Sequence, residues 1–282
     1  MKTKLFIGIV LLSSVIMSAQ NFQGKAIYKT SKKSNFEIGG DNNSGMSDVM
    51  KEQIKARLRK MNQKTFILNF NKYTSTYKEE VKLATPNPQA NGNKVMVMSF
   101  GGSGKGSVYY KNLQEKRFSN QTEIMGKVFL VKDSLPSYKW QLSSETKNIG
   151  EYTCYKATFS REVENIEMIV ENGATKEEKK KETIITTAWY TPQVPVSNGP
   201  KDYQGLPGLI LEINDGTTTM VCTEIIINSS EENIIEEPKK GKVVLQKEYN
   251  KIQKEKSKEL MEKFKSRKGV NMGNGITIKM GG

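Results

Sequence analysis

Short segments with alternating apolar and polar positions recur along the chain, and this pattern is typical of half-buried β-strands. Residues 22–30 and 65–77 alternate in this way, and the second segment is interrupted near Asn71-Lys72. Between 107 and 159 further strands follow at the close spacing of an antiparallel meander. They are predicted over 108–110, 116–118, 127–131, 139–142 and 153–159. Residues 163–170 are expected to extend a hairpin arm, with the polar segment 173–181 as its solvated tip.

Two other segments have the period of an amphipathic helix. Ser47 can cap a helix that continues to about Asn62. A longer helix is predicted over 246–268, where lysines surround an apolar stripe. The stripe is formed by Leu245, Tyr249, Ile252, Leu260 and Phe264. We therefore predict the α+β class, with mostly antiparallel strands in one curved sheet or open barrel, an N-terminal helix and a long C-terminal helix.

The segment 188–213 (AWYTPQVPVSNGPKDYQGLPGLILEI) separates two predicted strands, 183–190 and 209–214, by closely spaced prolines and glycines. Proline fixes φ and lacks an N–H, so a central strand cannot continue through this segment. Leu206–Leu209 predicts a type II turn whose third position, Gly208, has positive φ. Asp215-Gly216 predicts a hairpin to a returning strand, 220–227. We expect a rigid crossover with five structural turn residues, Gly199, Pro200, Gly205, Pro207 and Gly208.

The run Gly205-Leu206-Pro207-Gly208-Leu209-Ile210 resembles the signature of the GLPGLI family, exported envelope proteins of Bacteroidota without an established function. Residues 188–191, Pro195 and Gly199-Pro200 resemble the positions that precede this signature, and 149–157 resembles a second recurring block. The resemblance implies an exported, sheet-rich protein. It implies no catalytic residues.

The N-terminus has the features of a secretory signal peptide. Lys2 and Lys4 precede an apolar run, 5–17, and Ser18-Ala19-Gln20 follows it. The run is shorter than the roughly 20 residues of a membrane-spanning helix, although a retained anchor is the alternative. We predict a signal peptide over 1–20, a sheet domain over 21–229 and a basic helical extension with a glycine-rich tail over 230–282. The predicted location is the periplasm or the outer membrane, with secretion as an alternative.

The composition excludes several kinds of site. The chain contains no histidine, which rules out Ser-His-Asp triads, Cys-His dyads and histidine-bound metals. Segment 101–107 (GGSGKGS) lacks the first glycine and the final Ser or Thr of a phosphate-binding loop. Asp202 and Glu212 are acidic candidates only by position, and we expect Asp202 to hold the crossover by hydrogen bonding. We predict no catalytic residues, cofactor or metal site, which argues against an enzyme.

Cys154 and Cys222 are the only cysteines. An oxidising compartment would permit a disulfide between them. The alternative is two separately buried thiols, and the sequence leaves both open.

Positive charge is concentrated at the C-terminus. The whole chain has a net charge of +14, and residues 238–282 contain 13 basic and 4 acidic residues. A basic amphipathic helix can contact anionic lipid, whereas the alternative is a solvated lysine-rich helix. Nucleic acid is not an expected partner, because export separates the protein from it.

Two classes of function agree with these observations. In the first, the sheet binds a hydrophobic ligand, a lipid or a peptide, with binding residues contributed by the crossover. They are Trp189, Tyr190, Tyr203, Leu206, Pro207 and Ile210. The alternative for these six is a structural plug of the core. In the second class, an accessory protein contacts outer-membrane proteins or anionic lipid through its basic C-terminal helix and has no ligand pocket.

Overall fold

The computed structural model describes residues 22–32, 52, 56, 62–80, 106–171, 174–228, 234–266 and 277–280. In this part the chain forms one 13-stranded sheet and one long helix, α1 (Gln246–Ser266). The strands are β1 (Gln23–Lys32), β2 (Gln63–Asn71), β3 (Thr74–Glu79), β4 (Val108–Asn112), β5 (Arg117–Ile124), β6 (Lys127–Ser134), β7 (Gln141–Ile149), β8 (Tyr152–Glu171), β9 (Ala174–Thr191), β10 (Leu209–Asn214), β11 (Thr218–Ile227), β12 (Lys242–Val244) and β13 (Thr277–Met280).

The sheet is open and has the order β12-β6-β5-β4-β3-β2-β1-β11-β10-β9-β8-β13, with β7 paired to β8. Neighbours are antiparallel except β12, which runs parallel to β6. Strands β1 to β6 are consecutive neighbours in the sheet. Short turns join β2 to β3, β4 to β5 and β5 to β6, whereas residues 33–62 separate β1 from β2 and residues 80–107 separate β3 from β4. The strand β7 does not continue the meander, because it pairs with β8 near the opposite end of the sheet.

The predicted α+β class is wrong, because the structure is mostly β. Among the described residues, α1 is the only helix whose first and last residues are both defined. The helix α1 begins at the predicted residue, Gln246. In the range of the predicted N-terminal helix only residues 52, 56 and 62 are described, of which 52 and 56 are helical and 62 lies in a turn. The rest of this prediction lies outside the described residues. Strand content exceeds the prediction because β8 and β9 continue through a polar segment that we expected to be a solvated hairpin tip.

Three other predictions fall wholly or partly outside the described residues. The signal peptide, 1–20, lies outside them, as do residues 101–105 of the glycine-rich segment and much of the C-terminal tail. Gly106 is described and lies in a turn that precedes β4.

One face of β1–β6 carries much of the core, because cross-strand partners point to the same side of a sheet. Tyr77 pairs with Leu68 on one side and with Tyr109 on the other. The ring of Tyr109 stacks on Phe118 at a centroid distance of 5.0 Å. We call this side the core face. It also receives two non-sheet elements, the 192–208 crossover and α1.

The opposite face of β5 and β6 is covered by the segment 234–240. Its Glu237 carboxylate accepts hydrogen bonds from Arg117 Nη1 at 2.8 Å and from Ser119 Oγ at 2.5 Å, and Lys132 Nζ lies 3.4 Å away. These partners, the Arg117 hydrogen bond above all, lower the pKa of Glu237 from 4.5 to about 2. The segment is therefore fastened to the sheet by an ionised carboxylate.

We expect Glu237→Gln to reduce stability at neutral pH by on the order of 1 kcal/mol, because the ion pair is partly exposed. A carboxylate with a lowered folded-state pKa stabilises the fold above pH 4.5, and this contribution disappears as the pH falls toward 2. Urea denaturation between these pH values should show a shallower acid dependence for Glu237→Gln than for the wild type. The neighbouring exposed change Glu236→Gln is the control, and an equal change in that variant would contradict the assignment.

Candidate functional site

The crossover between β9 and β10 lies against the core face and is held there by side chains from two strands, β3 and β4. Lys111 Nζ donates hydrogen bonds to the carbonyl oxygens of Gly199, at 2.6 Å, and Tyr203, at 3.0 Å. Ser75 Oγ donates to Asn198 Oδ1 at 3.4 Å. The crossover is thus tied to β3 and β4, which lie several strands away from β9 and β10 in the sheet.

The Lys111 side chain is fully buried. Loss of hydration lowers the pKa of Lys111 from 10.5 to about 7, although the nearby Asp202 carboxylate opposes this shift. A neutral amine has two hydrogens, and the two carbonyl oxygens accept both. We call this arrangement the Lys111 clasp. Its burial makes it a structural device, because the amine has no exposed surface toward a substrate.

Most of the six candidate binding residues are packed inside the protein. Tyr190, Tyr203, Leu206 and Ile210 are buried, whereas Pro207 is exposed. Tyr28 Oη donates a hydrogen bond to the Ile210 carbonyl at 2.7 Å. These side chains contribute packing area, and the binding role predicted for them stays a prediction.

Trp189 is half-buried and is covered by a charged side chain. Lys147 Nζ lies 4.5 Å from the centre of the Trp189 ring and 2.7 Å from a carboxylate oxygen of Glu212. A lysine over an aromatic face is favourable, and the carboxylate fixes its position. Glu212, an acidic candidate by position, therefore orients Lys147.

The predicted type II turn at Leu206–Leu209 is replaced by a tighter turn. Gly208 N donates to the Leu206 carbonyl at 2.8 Å, which closes a three-residue γ-turn centred on Pro207. Leu209 N is not available for a four-residue turn, because it donates to the Val194 carbonyl at 3.0 Å. Gly208 has φ of +154°, so the prediction of positive φ at this position is confirmed.

A second packing cluster fixes the other end of the crossover. Tyr138 Oη donates to Asp202 Oδ2 at 2.8 Å, so Asp202 holds the crossover by hydrogen bonding as predicted. Trp140 Nε1 donates to the Gln204 carbonyl at 2.9 Å. Burial, followed by the charge of Asp202, raises the pKa of the Tyr138 hydroxyl, so this group stays a neutral donor. The sequence prediction missed the cluster because 135–140 has no periodic pattern.

Both cysteines are buried free thiols in this structure. Burial is the main cause that raises the pKa of Cys154 to about 11 and that of Cys222 to about 12. Thiols with such pKa values are poor nucleophiles at neutral pH. The disulfide that an oxidising compartment would permit stays a prediction.

A groove of about 340 Å³ lies between α1 and the edge of the sheet formed by β5, β6 and β12. Its apolar lining comes from Ile124, Met125, Phe129 and Ile252. The remaining lining residues are three lysines, Lys127, Lys242 and Lys256. This groove was not predicted from the sequence.

The position of α1 on the core face creates the groove. The Tyr249 ring meets Phe129 at a centroid distance of 5.8 Å, and its hydroxyl lies 3.3 Å from Thr122 Oγ1. The first turn is attached to β6, because Gln246 N donates to Asp133 Oδ2 at 3.2 Å. Since Ile252 follows Tyr249 by almost one helical turn, it extends beyond this contact and forms one wall.

The opposite wall is a two-residue hairpin between β5 and β6. Met125 and Gly126 both have positive φ, 48° and 81°, as a type I′ turn requires. Met125 is 56% exposed although it lines the groove. Gly241 brings β12 close to β6, because a Cβ at this position would lie 2.7 Å from the Phe129 carbonyl carbon.

A family model matches part of the region that contains the crossover. Residues 140–212 match the family model described as "Protein of unknown function (Porph_ging)". The matched range includes β7, β8, β9 and the crossover. It includes the whole run 205–210 on which the GLPGLI resemblance depends, but the match does not confirm that name. No curated protein matches the chain.

Two solved structures of PNGF-II, in the C2 and P21 space groups, are similar to this chain with TM-scores of 0.45 and 0.46 and 13% sequence identity. The matches cover 83% of this chain and 33% and 34% of the PNGF-II chains. The chain therefore spans about a third of their length. A likeness of this size carries no argument about function.

Membrane-spanning helices and metal-binding clusters are both absent from the described residues. None of their helices combines the length and the apolar character needed to cross a membrane. Their His, Cys, Asp and Glu side chains form no group of three or more that could hold a metal ion.

Proposed function

We propose that the protein binds a small hydrophobic ligand in the groove between α1 and the β5–β6 edge of the sheet. The observation that supports this proposal is a concave surface with four apolar side chains beside a packed core. Its volume of about 340 Å³ falls in the range of small-molecule sites, roughly 300–1,000 Å³. The groove is open to one side, so a ligand can enter without unfolding of the sheet.

The lining suits an apolar chain or ring of variable shape. Phe129 belongs to the hydrophobic core and Ile252 packs against that core, so both lining residues are held in place. Met125, by contrast, is exposed and has an unbranched side chain. Methionine adapts to irregular ligands because its side chain is flexible and polarisable. Burial of apolar ligand surface contributes roughly 25 cal/mol per Å², which drives association without a charged partner. An exported, envelope-located binding protein remains part of this proposal on the basis of the N-terminal sequence.

The test is a fluorescence titration with N-phenyl-1-naphthylamine, a neutral apolar dye. Met125→Asn should weaken binding of the dye by roughly fivefold, because about 1 kcal/mol of apolar contact is lost. The same change should raise the free energy of unfolding by about 0.5–1 kcal/mol, since asparagine suits positive φ in a type I′ turn. Weaker binding by a more stable protein cannot result from unfolding.

Lys116→Asn provides the matched control, because Lys116 also has positive φ, 53°, in the β4–β5 turn. Lys116 is exposed and does not line the groove. This variant should gain similar stability and keep the affinity of the wild type for the dye. An absence of dye binding to the wild type, or equal loss of affinity in both variants, would reject the groove as the site.

A further inference from the structure

The backbone places each of the three lysines of the groove next to an apolar lining residue, either Phe129 or Ile252. Lys242 pairs with Phe129 across β12 and β6. Lys127 precedes Phe129 by two residues on β6, so both point to the same face. Lys256 follows Ile252 by four residues on α1, so it lies one helical turn further along the same side. Each ammonium group therefore adjoins one apolar wall.

The local charge is positive. Among the described residues, Lys127 and Lys242 have no ion-pair partner, and Lys256 pairs with Glu259 at 2.5 Å. Glu123, the acidic residue nearest the hairpin in sequence, accepts a hydrogen bond from Gly126 N at 3.1 Å, which occupies one of its oxygens. All three lysines are exposed, so their charged ends lie in water while their stems can cover apolar surface.

We propose that the groove selects a single-chain amphiphile with an anionic head, a carboxylate or a phosphate, whose apolar tail lies on Phe129 and Ile252. This inference rests on the proposed function and adds the class of ligand. The volume of about 340 Å³ lies near the lower limit for small-molecule pockets, which favours one chain over a lipid with several. The head lies among Lys127, Lys242 and Lys256, where a cationic head would be repelled.

The experiment compares decanol, decanoate, decyl phosphate and decylammonium as competitors of bound N-phenyl-1-naphthylamine. Exposed ion pairs are individually weak, but three together should make an anionic head bind roughly tenfold more tightly than decanol. Higher salt should reduce this preference. The triple variant Lys127→Gln, Lys242→Gln, Lys256→Gln should bind decanol unchanged and lose the preference. The control is the triple variant Lys139→Gln, Lys251→Gln, Lys254→Gln. It loses the same three positive charges, but at residues that do not line the groove, and it should keep the preference for an anionic head.

The possible results separate the inference from the proposed function. If decanol displaces the dye and neither anionic compound binds more tightly, the inference is rejected and the proposed function stands. Equal loss of the preference in both triple variants would also reject it, because net charge would then be the cause. If no decyl compound displaces the dye, the proposed function and the inference both fail. A preference confined to decanoate or to decyl phosphate supports the inference and identifies the head group.

Discussion

Gly208→Val is expected to destabilise the protein by roughly 3–5 kcal/mol, a large part of the total stability of an ordinary domain. Gly208 has φ of +154°, a conformation that a β-branched residue resists. A Cβ here would also overlap the backbone carbonyl of Thr191, and backbone cannot move aside as a flexible side chain can. Urea denaturation followed by tryptophan fluorescence measures the loss.

Gly216→Val separates the two causes of this loss. Gly216 also has positive φ, 85°, but a Cβ there would meet nothing within 4 Å. Only the conformational cost should remain, about 1–2 kcal/mol. Equal losses in the two variants would show that Gly208 makes no close approach to Thr191, and an unchanged midpoint for Gly208→Val would contradict the γ-turn and its packing.

Stability is expected to rise between pH 7 and pH 9 because of the Lys111 clasp. Burial lowers the pKa of Lys111 from 10.5 to about 7, so in this window the unfolded chain binds a proton that the folded chain does not. Because folding releases this proton, Lys111 favours folding by roughly 1.4 kcal/mol per pH unit, or about 2–3 kcal/mol over the window. The buried thiols of Cys154 and Cys222 offset about 1 kcal/mol of this gain near pH 9, because burial raises their pKa values and only the unfolded chain ionises them there. Measurements should stop below pH 10, because burial raises the pKa of Tyr28 and Tyr109 and reverses the trend there.

Lys111→Met tests whether this residue causes the pH dependence. The variant has no amine to titrate at this position, so its free energy of unfolding should not rise between pH 7 and pH 9. It should fall by about 1 kcal/mol, because Cys154 and Cys222 ionise more easily in the unfolded chain. It should be less stable by roughly 2–4 kcal/mol at pH 9, because two buried carbonyl groups lose their donor. The exposed residue Lys139 gives the control, and Lys139→Met should retain the slope of the wild type. A slope in Lys111→Met as steep as that of the wild type would refute the clasp.

The strands near the crossover were predictable because their signals are local. The bounds of β10 agree with the predicted strand, 209–214, and the Asp215-Gly216 hairpin forms as expected. The strong preference of asparagine, aspartate and glycine for such turns acts within a few residues. The start of α1 at the predicted position, Gln246, also follows from a local signal, the helical period of its apolar residues.

The extent of β9 was not predictable in this way. Its first part, 174–181, is rich in Lys and Glu, and we predicted a solvated hairpin tip there, although 163–170 on β8 was predicted to extend a hairpin arm. In the structure the two strands stay in register to Glu171 and Ala174, with Glu164 opposite Lys181. Cross-strand pairing can stabilise polar strands, but only the register determines which charges face each other. The underestimate of strand content, and hence the wrong fold class, began here.

By itself the sequence determined where the backbone must turn and that no site in this sequence can use a histidine. Proline, glycine and the absence of histidine act through local geometry or through composition. Only the tertiary structure decided that Lys111 is buried against carbonyl groups 88 and 92 residues away, and that Met125 and Ile252 face each other across a groove. Burial and cavities depend on which distant segments become neighbours, and the packing of the whole chain determines this.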